Sequence, residues 1–171
     1  MDIRIIRAEE QHARLLPGIE RSAGESFLHV PGYEWIASDD VMTVGAHLKL
    51  IHKGTVWVAR GADDHLWGFL SAEAFEDALH IWEISVHRDA QRQGVGRKLM
   101  SAAEGFAAQQ GLKALSLTTF REVSFNAPYY ARLGYEVLES AALDARLRAV
   151  LADEAAAGLS ADSRCAMIKH L

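Results

Sequence analysis

Apolar residues recur along the chain with two periods, and the switches between them predict the order of its elements. Ile3-Arg4-Ile5-Ile6 reads as a short strand, after which Leu15, Leu16, Ile19 and Ala23 share one helical face. Gly24, Pro31 and Gly32 break that pattern. Ser38-Asp39-Asp40 then forms a cluster of good N-caps ahead of Val41, Val44, Leu48 and Ile51, so a second helix is predicted to start there and to stop near Lys53-Gly54. Three β-rich runs follow, Thr55 to Ala59, Leu66 to Ala72 and Leu79 to Val86; the turn-like Gly61-Ala62-Asp63-Asp64 separates the first two and suggests an antiparallel meander. Gly94 to Gln110 is the clearest helix, with Val95, Leu99, Met100, Ala103, Phe106 and Ala107 in one stripe that Gly111 ends. A strand over Ala114 to Thr119, a short helix after Asn126, a strand over Tyr135 to Leu138, a helix marked by Leu143, Leu147, Val150 and Leu151, and a strand over Cys165 to Lys169 complete the order. The class is α+β with a mixed sheet, in which Leu79 to Thr119 forms one β-α-β unit.

Composition narrows the function. Of 171 residues, 50% are hydrophobic and 24% charged, which excludes disorder and fibre. The length and the absence of a linker predict a single domain over 1–171. The net charge of −5 predicts no general affinity for nucleic acid or anionic lipid, so any anion site must be local. Cys165 is the only cysteine, ruling out an internal disulfide and a cysteine-based zinc cluster. Eight scattered histidines without a His-Glu-x-x-His predict no metal site. No basic N-terminal patch precedes an apolar core, and no apolar run reaches the roughly 18 residues of a membrane span. A cytoplasmic protein with no membrane partner is expected.

The chemistry is concentrated where an apolar strand passes through a polar loop into a helix, from Ile84-Ser85-Val86 through Gln91-Arg92-Gln93-Gly94-Val95-Gly96-Arg97. The first amides of a helix lack intrahelical acceptors and its dipole favours negative charge, so such a loop can wrap a pyrophosphate. Gly94 and Gly96 admit ligand oxygens to the backbone, while Arg88, Arg92, Arg97 and Lys98 supply positive charge. The dinucleotide fingerprint needs a third glycine where Leu99 stands, and no Gly-Lys-Ser/Thr of a P-loop is present.

The remaining pattern, Gln91-x-x-Gly94-x-Gly96, resembles the acetyl-CoA-binding motif of the GNAT superfamily of N-acetyltransferases. A second segment, Asn126-Ala127-Pro128-Tyr129-Tyr130 leading to Leu133-Gly134-Tyr135, resembles that family's second signature. Arg88 stands where the family often has Pro, and Gln91 where Arg is commoner. The resemblance implies a GNAT-like fold: a central mixed, mostly antiparallel sheet with two splayed parallel strands, flanked by helices. It covers most of the chain; residues 140–162 read as a helical insertion outside it. It also implies acetyl-CoA as cosubstrate, bound by Ile84, Ser85, Val86, Gln91, Arg92, Gln93, Gly94, Val95, Gly96, Arg97, Asn126 and Tyr129, with the pantetheine arm in the strand gap and a backbone N–H near Ile84 polarising the thioester carbonyl.

Direct attack by an amine requires a base for its proton and an acid for the leaving thiolate, whose thiol has a pKa of about 8.5. By family position Tyr130 is the acid and Tyr129 a wall residue. Glu83 is the preferred base, with His80 or water as alternatives; regular strand alternation puts His80 and Glu83 on opposite faces unless a bulge intervenes. The expected activity is acetyl transfer from acetyl-CoA to a primary amine of a small molecule or peptide. A protein N-terminal or lysine acetyltransferase and a non-catalytic acyl-CoA sensor are the alternatives. Trp35 lies in the loop where the family admits its acceptor, and Arg121 is a candidate partner for an acceptor carboxylate. Many relatives form homodimers, and no interface is legible here.

Overall fold

The computed structural model describes all 171 residues. Its strands are β1 (Ile3–Arg7), β2 (Val56–Gly61), β3 (Leu66–Ala74), β4 (Ala78–Val86), β5 (Ala114–Phe120), β6 (Glu136–Val137) and β7 (Arg164–His170). Its helices are α1 (Leu16–Gly24), α2 (Val44–His52), α3 (Val95–Gln109), α4 (Ala127–Arg132) and α5 (Ala145–Ala156). No helix is long and apolar enough to cross a membrane. The strands form one sheet in the order β1-β2-β3-β4-β5-β7-β6, in which only β4 and β5 pair in parallel. α3 is the crossover between them, which explains why its apolar stripe is so regular: it covers one face of the sheet along its length.

Each face has its own core. Leu99, Met100, Ala103 and Ala107 of α3 pack with Leu70, Leu79, Ile81, Leu115 and Leu117. On the opposite face Leu16 and Ile19 of α1 and Leu50 and Ile51 of α2 pack with Val56, Val58 and Phe69. Leu99 is fully buried, so truncation to alanine there costs roughly 2–5 kcal/mol.

Two boundaries and one helix face differ from the sequence pattern. Ser38-Asp39-Asp40 does not cap α2: Ser38 ends a 3-10 helix over Glu34–Ser38, and the Thr43 hydroxyl accepts the Ala46 amide at 3.1 Å instead. The buried face of α2 is consequently His47, Leu50 and Ile51, while Val44 is exposed. His47 is fully buried, with Nδ1 3.3 Å from the Ser71 hydroxyl and its ring edge-on to Phe69, so a polar residue occupies a position that apolar periodicity gave to its neighbours. Expected strand residues Tyr135 to Leu138 shrink to Glu136–Val137, because Tyr135 turns inward and Leu138 adds only a single amide bond, to the Ala166 carbonyl of β7 at 2.9 Å. Residues 140–162 contain a short 3-10 helix and α5, whose N-cap Asp144 accepts the Leu147 amide at 2.7 Å.

Candidate active site

β4 and β5 pair only from Ala78↔Ala114 to Ile81↔Leu117, and beyond Ile81 no ladder joins them. The backbone polar groups of β4 that face β5 over residues 82–86 are therefore free of ladder bonds and, apart from the Val86 carbonyl, which accepts from Gln91, available to an extended ligand. A bulge coincides with the end of pairing. Ser71 opposes Glu83 and Ala72 opposes Ile81, so Trp82 is the extra residue on β4. The bulge shifts the core-facing positions from Leu79 and Ile81 to Ile84 and Val86. It thereby brings Glu83 to the same side of the sheet as His80, correcting the alternation that separated them. The signal was present as a change in parity of the apolar positions, odd at 79 and 81 and even at 84 and 86.

Their surroundings differ sharply. His80 lies within the paired stretch, fully buried, with Nδ1 2.9 Å from the Ser116 hydroxyl, which also accepts from Arg146 at 3.1 Å. Burial first, and then the Arg146 charge, push its pKa down to about 3, so it stays neutral at physiological pH. Glu83 lies beyond the pairing and accepts the Ser85 hydroxyl at 2.8 Å. Burial first and the nearby Glu20 second raise its pKa to about 8, against the opposing pull of Ser85, Arg164 and the Ile84 amide. A carboxyl that titrates there is matched to proton transfer near neutral pH.

At the head of α3 two residues adopt left-handed backbone, Arg92 at φ +61° and Gly94 at φ +79°. The first helical bond runs from the Lys98 amide to the Gly94 carbonyl at 3.1 Å, leaving the amides of Val95, Gly96 and Arg97 directed into the turn. Gly96 keeps the turn close to α4: a Cβ there would stand 3.1 Å from the Tyr129 hydroxyl, so a larger residue makes that ring give by a few tenths of an ångström. The expected charges divide into two sets. Arg88 is paired with Glu25 at 2.6 Å, and Lys98 reaches the Ile3 carbonyl at 3.4 Å, so neither is a free charge for an anion; exposed Arg92 and Arg97 have no ion-pair partner. Gln91 is also occupied, its Nε2 donating to the Val86 carbonyl at 3.0 Å and its Oε1 accepting from Ser26 at 3.0 Å, which fastens the loop to the end of β4. Gln93 is exposed and its side chain donates to the Asp89 carbonyl at 3.1 Å.

α4 supplies the other wall. Asn126 Oδ1 accepts the Thr119 hydroxyl at 2.8 Å and the Phe120 amide at 3.4 Å, tying the end of β5 to the start of α4. Pro128 then sits in the first turn, where its missing N–H costs nothing. The rings of Tyr129 and Tyr130 meet edge to face at 5.3 Å, and Tyr130 packs against the α3-side core. Burial first, then Glu83 and Tyr129, raise the Tyr130 pKa above the ordinary phenol value, so its proton stays on at neutral pH. Arg164 acts on both Glu83 and Tyr130, which puts these two groups and the start of β7 in one neighbourhood.

Several residues here carry no motif. Glu20 of α1 accepts the Met42 amide at 3.1 Å and is raised by burial. Arg164 and Glu154 pair at 2.9 Å across the α5–β7 connection. Phe27, Tyr33, Phe120 and Phe125 form an edge-on aromatic cluster with centroids 5.0 to 5.7 Å apart. Trp35 is exposed nearby in the Glu34–Ser38 helix, and exposed Arg121 donates to the Arg164 carbonyl at 3.3 Å. Glu20 stands in the α1 stripe beside Ile19, where a sequence pattern reads it as the edge of an amphipathic face. The aromatics come from three separate segments that only the fold joins.

Comparison with solved structures agrees with this architecture. The fold is similar to that of the PaiA N-acetyltransferase from Thermoplasma acidophilum in complex with coenzyme A, with a TM-score of 0.74 at 17% identity over 100% of both chains. A GNAT-family acetyltransferase from Staphylococcus aureus Mu50 matches with a TM-score of 0.72 at 12% identity over 99% of each chain. The ribosomal-protein-S18-alanine N-acetyltransferase from Escherichia coli matches with a TM-score of 0.68 at 14% identity, over 99% of this chain and 94% of that one. Residues 20–135 match the model of the acetyltransferase (GNAT) family. That span runs from Glu20 on α1 through the splayed strands and the α3 turn to Tyr135, and the chain belongs to the GNAT family of acetyltransferases.

Proposed function

We propose that residues 1–171 work as one N-acetyltransferase domain that moves an acetyl group from acetyl-CoA directly to a primary amine of a small molecule or peptide. The observation that carries this reading is the meeting of open α3 amides, an unpaired stretch of β4, and the Glu83 and Tyr130 groups at one end of the β4–β5 gap. Acetyl-CoA supplies the activated acetyl group as a thioester. The amides of Val95, Gly96 and Arg97, with the Arg92 and Arg97 charges, suit its pyrophosphate. The gap beside Ile84, Ser85 and Val86 suits the pantetheine arm, Tyr129 walls the turn, and Asn126 fixes the β5 end of the gap.

Glu83 as carboxylate takes one proton from the ammonium of the acceptor, leaving a neutral nitrogen lone pair. The C–N bond then forms as the C–S bond breaks, with a β4 amide near Ile84 bonding the carbonyl oxygen as it gains charge. Tyr130 gives its proton to the departing sulfur, and the second proton lost by nitrogen restores the phenol. The products are an N-acetyl amide and a free thiol, with one net proton released. The single cysteine, free and buried, fits a reducing compartment such as the cytoplasm.

The test is calorimetric titration of acetyl-CoA into the wild type and into Arg97→Glu, an exposed change that leaves the turn backbone intact. Micromolar binding is expected in the wild type, weakened roughly tenfold in the variant by loss of a phosphate contact and gain of repulsion. Absence of heat in the folded wild type removes the acetyltransferase reading.

A further inference from the structure

The amine-facing end of the gap has a charge pattern that acetyl transfer alone does not require. Arg164 is the buried cation of this region, and it is already matched: its Nε lies 2.9 Å from Glu154 Oε2 and its Nη2 3.2 Å from Glu154 Oε1, with the side chains only 12% and 18% exposed. The Thr118 hydroxyl completes this unit by bonding to both. Glu20 and Glu83 are neighbours whose carboxyls both resist ionisation, since the one cation that reaches Glu83 is held by Glu154; Glu20 accepts the Met42 amide and Glu83 the Ser85 hydroxyl. Arg21 and Arg121 are exposed, and Arg121 is engaged with the Arg164 carbonyl. An incoming cation is favoured here, whereas an incoming carboxylate finds no partner and pays for desolvation.

The walls specify the rest of the molecule. Arg164 stacks over Phe120 at 4.5 Å, and Phe120 meets Phe27 and Tyr33 edge to face at 5.7 and 5.0 Å. Phe125 extends this cluster to the surface, where it and Leu28 are exposed. Aromatic edges and faces accept another ring with a specific geometric preference and give little to a second charged or polar end.

We propose, resting on the acetyl-transfer reading above, that the acceptor is an arylalkylamine: a primary amine on an aromatic body, with no carboxylate. Its ammonium lies against Glu83 and Glu20, and its ring against the Phe27, Tyr33 and Phe120 cluster.

Thiol release is measured at saturating acetyl-CoA with 2-phenylethylamine, phenylalanine, putrescine and a short peptide with a free N-terminus. The first two share a body and differ by one carboxylate. Phenylethylamine is expected to exceed phenylalanine in kcat/KM by about 100-fold, the scale of an unpaired carboxylate in a half-buried site, and to exceed the diamine and the peptide. Glu154→Gln leaves Arg164 unmatched and is expected to narrow the phenylethylamine-to-phenylalanine ratio about tenfold, as one freed charge would. A ratio unchanged in the folded variant, or faster turnover of phenylalanine, putrescine or the peptide in the wild type, overturns the assignment. Acetyl-CoA binding without thiol release from any of these amines overturns the acceptor class alone, while a folded protein that binds no acetyl-CoA removes the underlying reading as well.

Discussion

His80 and Glu83 stand on the same strand and the same side of the sheet, and burial keeps both uncharged at neutral pH, yet it moves their pKa values in opposite directions. At the paired end of β4 and β5 the histidine is lowered to about 3, far from any working pH. At the splayed end the carboxyl is raised to about 8, where a small change of environment decides its charge. One physical cause thus withdraws one group from chemistry and poises the other. Residue type sets the direction, because burial penalises the charged form, and that form is the protonated imidazole but the deprotonated carboxyl; an imidazole titrates nearer neutrality in water, but the carboxyl does so in this fold.

The comparison breaks most decisively at Glu83. Glu83→Gln is expected to lower kcat/KM for amine acetylation by about 100-fold or more, within the usual range for losing a general base. In the wild type the rate should rise with pH through about 8 as the carboxyl ionises, and that rise should be absent in the variant. Thermal unfolding should move the other way. The unfolded carboxyl ionises above about 4.5 while the folded one stays protonated to about 8, so the native state loses stability across that window as pH rises; the glutamine variant should be more stable at pH 8, by several degrees in Tm. A variant that loses neither activity nor the pH rise would leave water as the base.

Tyr130→Phe comes next, with kcat reduced by roughly 50-fold and acetyl-CoA affinity unchanged in calorimetry, the scale of a lost general acid. Because the phenol proton is held above its ordinary range, no fall in wild-type rate should come from Tyr130 below about pH 10. Unchanged turnover would make Tyr130 a packing residue beside Tyr129.

The smallest effect belongs to the paired end. His80 and His47, lowered to about 3 and about 4, take up protons near pH 6.5 once unfolded, so acidification from pH 7 to 5 should destabilise the protein. Each contributes up to about 1.4 kcal/mol per pH unit in that window, and the contribution is complete above about pH 6.5. His80→Asn should remove about half of this histidine-dependent slope in chemical denaturation series while amine turnover stays within about twofold. A turnover loss like that of Glu83→Gln would erase the distinction between the two ends.

Sequence was informative where structure is local. The α3 stripe, the meander and the cap of the α3 turn follow from periodicity and from glycines whose backbone angles other residues rarely adopt. The motif residues Gly94, Gly96, Asn126, Tyr129 and Tyr130 do gather at one end of the sheet. Misreadings arose where a side chain had a second partner far along the chain. Arg88 looked free until Glu25 met it, and the Gln91 side chain is bonded to Val86 and Ser26 as well as standing in the turn. The Ser38-Asp39-Asp40 cluster has the right residue types for a cap, but Thr43 is next to the helix that forms. The acceptor wall was hidden for a related reason: Glu20, Phe27, Phe120 and Arg164 come from four elements, and no spacing rule links them.

β7 enters the sheet between β5 and β6, two strands made before it. During synthesis on the ribosome, β1 to β4 can pair in the order in which they emerge, but β5 gains its outer neighbour only after residues 164–170 have appeared. Until then the backbone edge of β5 is open beside the apolar Leu115 and Leu117, a template for pairing with other chains. A nascent chain stalled before residue 164 therefore presents the half of the sheet that carries the candidate site in its most association-prone form, and the same late strand that delivers Arg164 also closes that edge.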